Sequence, residues 1–194
     1  DIKAPECFYI EEKLKERMDI PVFHDDQHGT AIVVGAGIIN ALKLVNKKIE
    51  DVRIVFNGAG SAAIACAKLL FVLGANPKNV LMCDREGVIH SDRTFDKGDV
   101  KRQFMTDGPQ RTLKDALTKA DVFIGLSAAK SMTADMAESM NSKPIIFALA
   151  NPEPEIHPDI VSKVRPDAIM ATGRSDFPNQ VNNAVCFPYL FSGA

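Results

Sequence analysis

Five short apolar runs set at intervals between helical stretches constrain this chain more than any other feature. Arg53 to Phe56, Val80 to Cys83, Val122 to Ile124, Ile145 to Leu149 and Ile169 to Ala171 each have strand length. Between them lie Ala62 to Leu73, Leu113 to Lys119, Thr133 to Met140 and Pro158 to Val164, all of helical character. Such alternation implies an α/β fold, a doubly wound parallel sheet with flanking helices. At 194 residues the chain can bury one core of ordinary size. Ahead of this pattern, Glu6 to Met18 predicts a helix and Ile20-Pro21-Val22-Phe23 a short strand. Thr30 to Val45 carries apolar residues on every face, which predicts a helix buried on all sides and too short to span a bilayer. Glu86 to Gln110 is polar and predicts an irregular excursion after the second of the five runs.

The first of the five runs continues into Gly58-Ala59-Gly60-Ser61-Ala62-Ala63 and then into a helical stretch. Strand, tight turn and helix form the context in which a glycine pattern of this spacing binds a dinucleotide, and they make the sheet Rossmann-like. Gly58 permits the turn, Gly60 lets the backbone approach a pyrophosphate, and small Ala63 lets the helix pack on the strand. Asp84, at the end of the next run and 24 residues beyond Gly60, stands where a carboxylate binds ribose hydroxyls. The neighbouring Arg85 could instead hold a 2′-phosphate, so the residues leave NAD and NADP open. A second Gly-Ala-Gly, Gly35 to Gly37, follows no strand and reads as close helix packing.

His24-Asp25-Asp26-Gln27-His28-Gly29-Thr30 contributes paired carboxylates, oxygen donors of the kind that hold a hard divalent cation. Helix capping is the simpler account of one acid, since Asp suits an N-cap, but it leaves the second unexplained. Asp1 offers a further acid upstream, while His24 and His28 read as a strand end and a helix start and not as metal ligands. Ala150-Asn151-Pro152-Glu153-Pro154 aims Asn151 from the carboxyl end of a buried run, where ligands of such sheets bind. The amides of Gln180-Val181-Asn182-Asn183 could cap a helix or bind a carboxylate substrate. Arg165, Arg174 and Lys130 read as solvated single cations.

With 23 basic and 25 acidic residues there is no basic stripe, which argues against nucleic acid. Cys7, Cys66, Cys83 and Cys186 include no CxxC pair, so they signal neither a zinc cage nor a redox dithiol and suit a reduced, cytoplasmic setting. Asp1 in first position, with no leader, reads as the start of a piece cut from a longer chain.

End to end, the chain resembles the NAD(P)-binding domain of malic enzyme, most nearly the short bacterial type. The resemblance is carried by Asp1-Ile2-Lys3-Ala4-Pro5-Glu6-Cys7-Phe8, by Pro21 through Thr30, by Gly58 to Ala63, by Ala150-Asn151-Pro152, and by Asn179-Gln180-Val181-Asn182-Asn183 followed by Phe187-Pro188. It implies oxidative decarboxylation of L-malate to pyruvate and carbon dioxide, with hydride transfer to NAD or NADP and a requirement for Mg or Mn. It implies Asp1 and Asp26 as metal ligands, Asp25 as an orienting catalytic acid, and Asn151 and Asn183 as substrate contacts, with Asn182 at substrate or cofactor. The family's lysine base and tyrosine acid match no residue here, so the resemblance implies that residues 1–194 alone turn over poorly, and a homodimer or larger assembly for the intact protein. Two other readings stay open on the residues: a noncatalytic dinucleotide-binding module, and a dehydrogenase with a related sheet that needs no metal.

Overall fold

The structure is a computed structural model that describes residue 2 and residues 5–193. Six strands form one sheet: β1 (Ile54–Asn57), β2 (Val80–Asp84), β3 (Gly87–Val88), β4 (Val122–Gly125), β5 (Ile145–Ala148) and β6 (Ile169–Thr172). Their spatial order is β3-β2-β1-β4-β5-β6. The five strands anticipated from the apolar runs are mutually parallel. β3, only two residues long, adds an antiparallel edge within the stretch expected to be irregular.

β1, β4 and β5 are buried at every position, and alternate residues face two separate cores. Ile54, Phe56, Ile124, Ile145 and Phe147 pack beneath α2 (Asp25–Val45) and α3 (Ser61–Val72). Val55, Phe123, Ile146 and Ala148 face α4 (Leu113–Leu117), α5 (Ala134–Glu138) and α6 (Pro158–Val164). Burial on both faces is what a parallel sheet between crossover helices requires. The chain leaves β1 toward β2 on one side and returns to β4 on the other, so the strand order reverses between β1 and β4. Ligands of open α/β sheets bind at such a switch point, outside the carboxyl ends of the strands.

Three expectations need correction. Residues 20–23 form no strand: they link α1 (Glu6–Arg17) to α2 through a bend at Ile20, with no ladder partner among the described residues. Pro21 lacks an N–H to donate to a ladder, and backbone without a neighbouring strand is not sheet. The acidic motif therefore opens a helix. That helix starts earlier than expected, is 21 residues long, and reaches bilayer-spanning length and apolarity. It is not buried on every side either, since Ile32 is 40% and Leu44 79% exposed. Its opposite face is core. A Cβ on Gly35 would lie 3.0 Å from Leu69 of α3, and one on Gly37 2.9 Å from Phe147 of β5. Close packing is thus the role of this second Gly-Ala-Gly. Finally, Arg165 and Arg174 are not solvated singly. Arg165 pairs with Asp167 and donates to the carbonyls of Ala137, Met140 and Asn141 at the end of α5. Arg174 pairs with Asp176 and donates to Pro152 O at 2.8 Å.

Candidate active site

Every sequence-predicted site residue among those described lies at or beyond the carboxyl ends of the parallel strands, or at the N-terminus of α2. Gly58 follows β1 with φ of +125°, a conformation that L side chains rarely adopt. Its amide donates to Cys83 O at 2.8 Å, and Leu126 N donates to Asn57 O at 2.8 Å. The post-β4 loop is thereby drawn over the turn at the switch point. Around Gly60 a Cβ would meet nothing within 4 Å. α3 begins at the next residue with no side-chain cap and no acid in its first turn. An open approach over free helix N–H groups is what a pyrophosphate needs. Ala59, Ser61 and Ala62 line the same turn, and Ala63 is buried against the sheet. These residues fit a dinucleotide.

Asp84 ends β2 as expected, but its carboxylate is already engaged. Arg93 donates to both oxygens at 2.9 and 2.8 Å, Lys101 to Oδ2 at 3.0 Å, and Glu86 N to Oδ1 at 3.0 Å. That count matches the acceptor capacity of a carboxylate, so a ribose hydroxyl would have to share an oxygen with one of these donors. Arg85 is exposed and makes no ion pair among the described residues. Sequence reasoning passed over Arg93 and Lys101, because their approach depends on how residues 86–110 fold back.

Burial alone would raise the Asp84 pKa, but the bonds from Arg93 and Lys101 outweigh it and hold it at about 2, below the ordinary 3.8. A depressed carboxyl contributes stability above its unfolded pKa and loses it as pH falls toward the folded value. Arg93→Met should therefore lower stability at pH 7 by about 1–2 kcal/mol, allowing for solvent screening. The deficit should shrink between pH 5 and about 2, and urea midpoints across that range measure it. A deficit that does not change with pH would refute the coupling.

At the other end of the site, α2 opens with His24 as N-cap and Asp25 and Asp26 in the first turn. Neither acid caps the helix by a side-chain bond. Asp25 Oδ2 accepts from Asn183 Nδ2, joining residues 158 apart in sequence. Its Oδ1 is buried and has no hydrogen-bond partner among the described residues, a costly state for a carboxylate oxygen unless another group meets it. The Asp26 side chain is 56% exposed, and among the described residues its one ion-pair contact is His24 at 3.9 Å. The histidines are used elsewhere: His28 Nε2 lies 2.6 Å from Glu11, and His24 Nδ1 lies 2.6 Å from Gln27. Two adjacent carboxylates, one with an orphaned buried oxygen, fit a hard divalent cation. Among the described residues no cluster of three acid, histidine or cysteine side chains completes a cage, and Asp1 lies outside the described residues.

Asn151 stands exposed beyond β5, its side chain making no hydrogen bond among the described residues. Asn182 is occupied by the backbone, accepting from Ala184 N at 3.0 Å and donating to Gly173 O at 3.1 Å. Its neighbour Asn183 is the one turned to Asp25. Of the cysteines, burial pushes Cys66 and Cys83 up to about 12, which makes both thiols inert.

Residues 27–194 match the family described as malic enzyme, NAD binding domain. An NADP-dependent malic enzyme of Haemophilus influenzae is 58% identical over the whole chain, which covers 26% of that protein. An NAD-dependent malic enzyme of Rhizobium meliloti is 51% identical, again over the whole chain and 25% of the relative. The crystal structure of an NAD-dependent malic enzyme from Thermotoga maritima superposes with a TM-score of 0.91 at 46% identity, over all of this chain and 52% of that one. The chain thus spans about a quarter of the length of the curated relatives named here.

Proposed function

The chain belongs to the malic enzyme family, and from that premise we propose that it supplies the dinucleotide site and part of the metal site of an enzyme converting L-malate to pyruvate and carbon dioxide. The observation that carries this reading is the meeting of Asp25 with Asn183, which unites the acidic and the amide motifs across 158 residues of sequence.

Asp26 and Asp1 would hold the Mg or Mn ion. When bound, that ion draws electron density from the C2 oxygen of malate and the NAD or NADP accepts the C2 hydride. The chain's own groups position the reactants. The first-turn amides of α3 would hold the pyrophosphate, and Gly58 keeps the turn tight against the post-β4 loop. Asn151 and Asn183 donate to the substrate carboxylate. Asp25 orients Asn183 by accepting a hydrogen bond from its amide N–H. The assembly we read is a homodimer or larger in a reducing cytoplasm.

The test is made on the full-length protein, following pyruvate and reduced dinucleotide from malate with NAD and with NADP, in Mn and in chelator. Pyruvate formation that chelator abolishes is the expected result. Tight dinucleotide binding without pyruvate would refute it, and activity indifferent to chelator would remove the metal from the reading.

A further inference from the structure

Glu155 is fully buried, and among the described residues it has no ion-pair partner. Its two carboxylate oxygens bond to two different loops. Oε1 accepts from Ser127 N at 3.1 Å, in the loop after β4, and Oε2 accepts from Ala150 N at 3.0 Å, in the loop after β5. The main chain beside it reinforces the first connection, with Met132 N donating to Glu155 O at 3.0 Å and Lys130 N to Pro154 O at 3.1 Å. Room for the carboxylate exists because residue 125 is glycine, where a Cβ would lie 2.6 Å from Oε1.

Both loops reach the site. Ala150 immediately precedes Asn151, and Leu126, immediately before Ser127, is the residue whose carbonyl lies against Gly58. A buried carboxylate without a cation is expensive, and here burial pushes its pKa up against the pull of the two amides. A neutral side chain bonding one loop would cost the fold less, so the doubly accepting carboxylate needs another reason.

We infer that Glu155 is a positioning residue whose two oxygens fix the spacing between the substrate amide of Asn151 and the dinucleotide turn at Gly58. This rests on the malate and dinucleotide reading above. Glutamine at 155 keeps one oxygen and turns an N–H toward the other loop's N–H, releasing one loop while filling the same volume. Aspartate keeps both oxygens but, one methylene shorter, reaches only one loop.

The test uses full-length Glu155→Gln and Glu155→Asp. For each variant the malate KM, kcat, unfolding midpoint, and Kd for NADP and NAD titrated without malate are measured. Expected in both variants is a malate KM raised about tenfold and a dinucleotide Kd raised about fivefold, as loss of one buried hydrogen bond implies. In an Asn151→Ala background, Glu155→Gln should raise the malate KM by less than about twofold, because its effect on substrate passes through Asn151. If Glu155→Gln does not fold, Glu155→Asp carries the same comparison. A lowered unfolding midpoint with unchanged KM and Kd, or an equal KM rise in both backgrounds, overturns the positioning role. Wild-type protein that makes no pyruvate would instead overturn the functional reading beneath it.

Discussion

Asp26→Asn in the full-length protein is expected to lower malate-dependent dinucleotide reduction about 10³-fold at fixed Mn, while the unfolding midpoint stays nearly where it was. The size follows from the role proposed for the residue: a cation that stabilises developing negative charge contributes several kcal/mol, and each 1.4 kcal/mol is about tenfold in rate. The small structural cost follows from geometry. The Asp26 side chain is 56% exposed, it pairs among the described residues with His24 alone at 3.9 Å, and surface changes of that kind stay within about 0.5 kcal/mol. What is lost besides is a favourable charge at the start of α2, worth at most about 1 kcal/mol. Raising Mn should restore part of the rate, because a weakened site fills again at higher concentration. Full activity in the variant, or a deficit that no Mn concentration moves, would remove Asp26 from the metal site.

That prediction starts from a motif legible in the sequence, whereas its setting was not. Paired acids are visible letters, but whether they cap a helix, end a strand or face a ligand depends on their neighbours. Ile20 to Phe23 looked like a strand because the run is apolar, yet a strand needs a ladder partner and the sheet offers none there. The five parallel strands were readable because each is an apolar run of strand length between helices, and β1, β4 and β5 are buried throughout. β3 was not, having two residues and no period to detect. In α2, composition gave the helix but could not say which apolar face the fold covers, so exposed Leu44 and buried Leu42 look alike in the sequence.

Polar partners followed the same division. The glycine turn was legible because strand, turn and helix are contiguous. The meeting of Asp25 with Asn183, of Asp84 with Arg93 and Lys101, and of Glu155 with two loops depends on tertiary placement. No local pattern announces it. Arg165 and Arg174 show the converse, since single cations in a sequence read as solvated until backbone carbonyls are found converging on them.

The two glycines of the turn should separate folding from binding when each is replaced by alanine in the full-length protein. A Cβ at Gly58 would lie 2.5 Å from Leu126 O and 2.9 Å from its carbonyl carbon, at a φ of +125°. Both contacts are with backbone, so no side-chain rotation relieves them. The strained φ and the clash together should cost about 4 kcal/mol, a large share of a typical stability. Gly58→Ala should therefore lower the unfolding midpoint sharply and displace the post-β4 loop. Gly60 is different: its φ of −86° suits any residue, and a Cβ there meets no atom within 4 Å. Gly60→Ala should leave the midpoint unchanged. The space that methyl enters is where the dinucleotide reading puts the pyrophosphate, so the Kd for NAD and NADP should rise about tenfold or more. Calorimetric titration of both dinucleotides, beside thermal unfolding of both variants, measures the contrast. Unchanged affinity in Gly60→Ala would place the pyrophosphate elsewhere, and an unchanged midpoint in Gly58→Ala would mean the loop after β4 yields where the packing says it cannot.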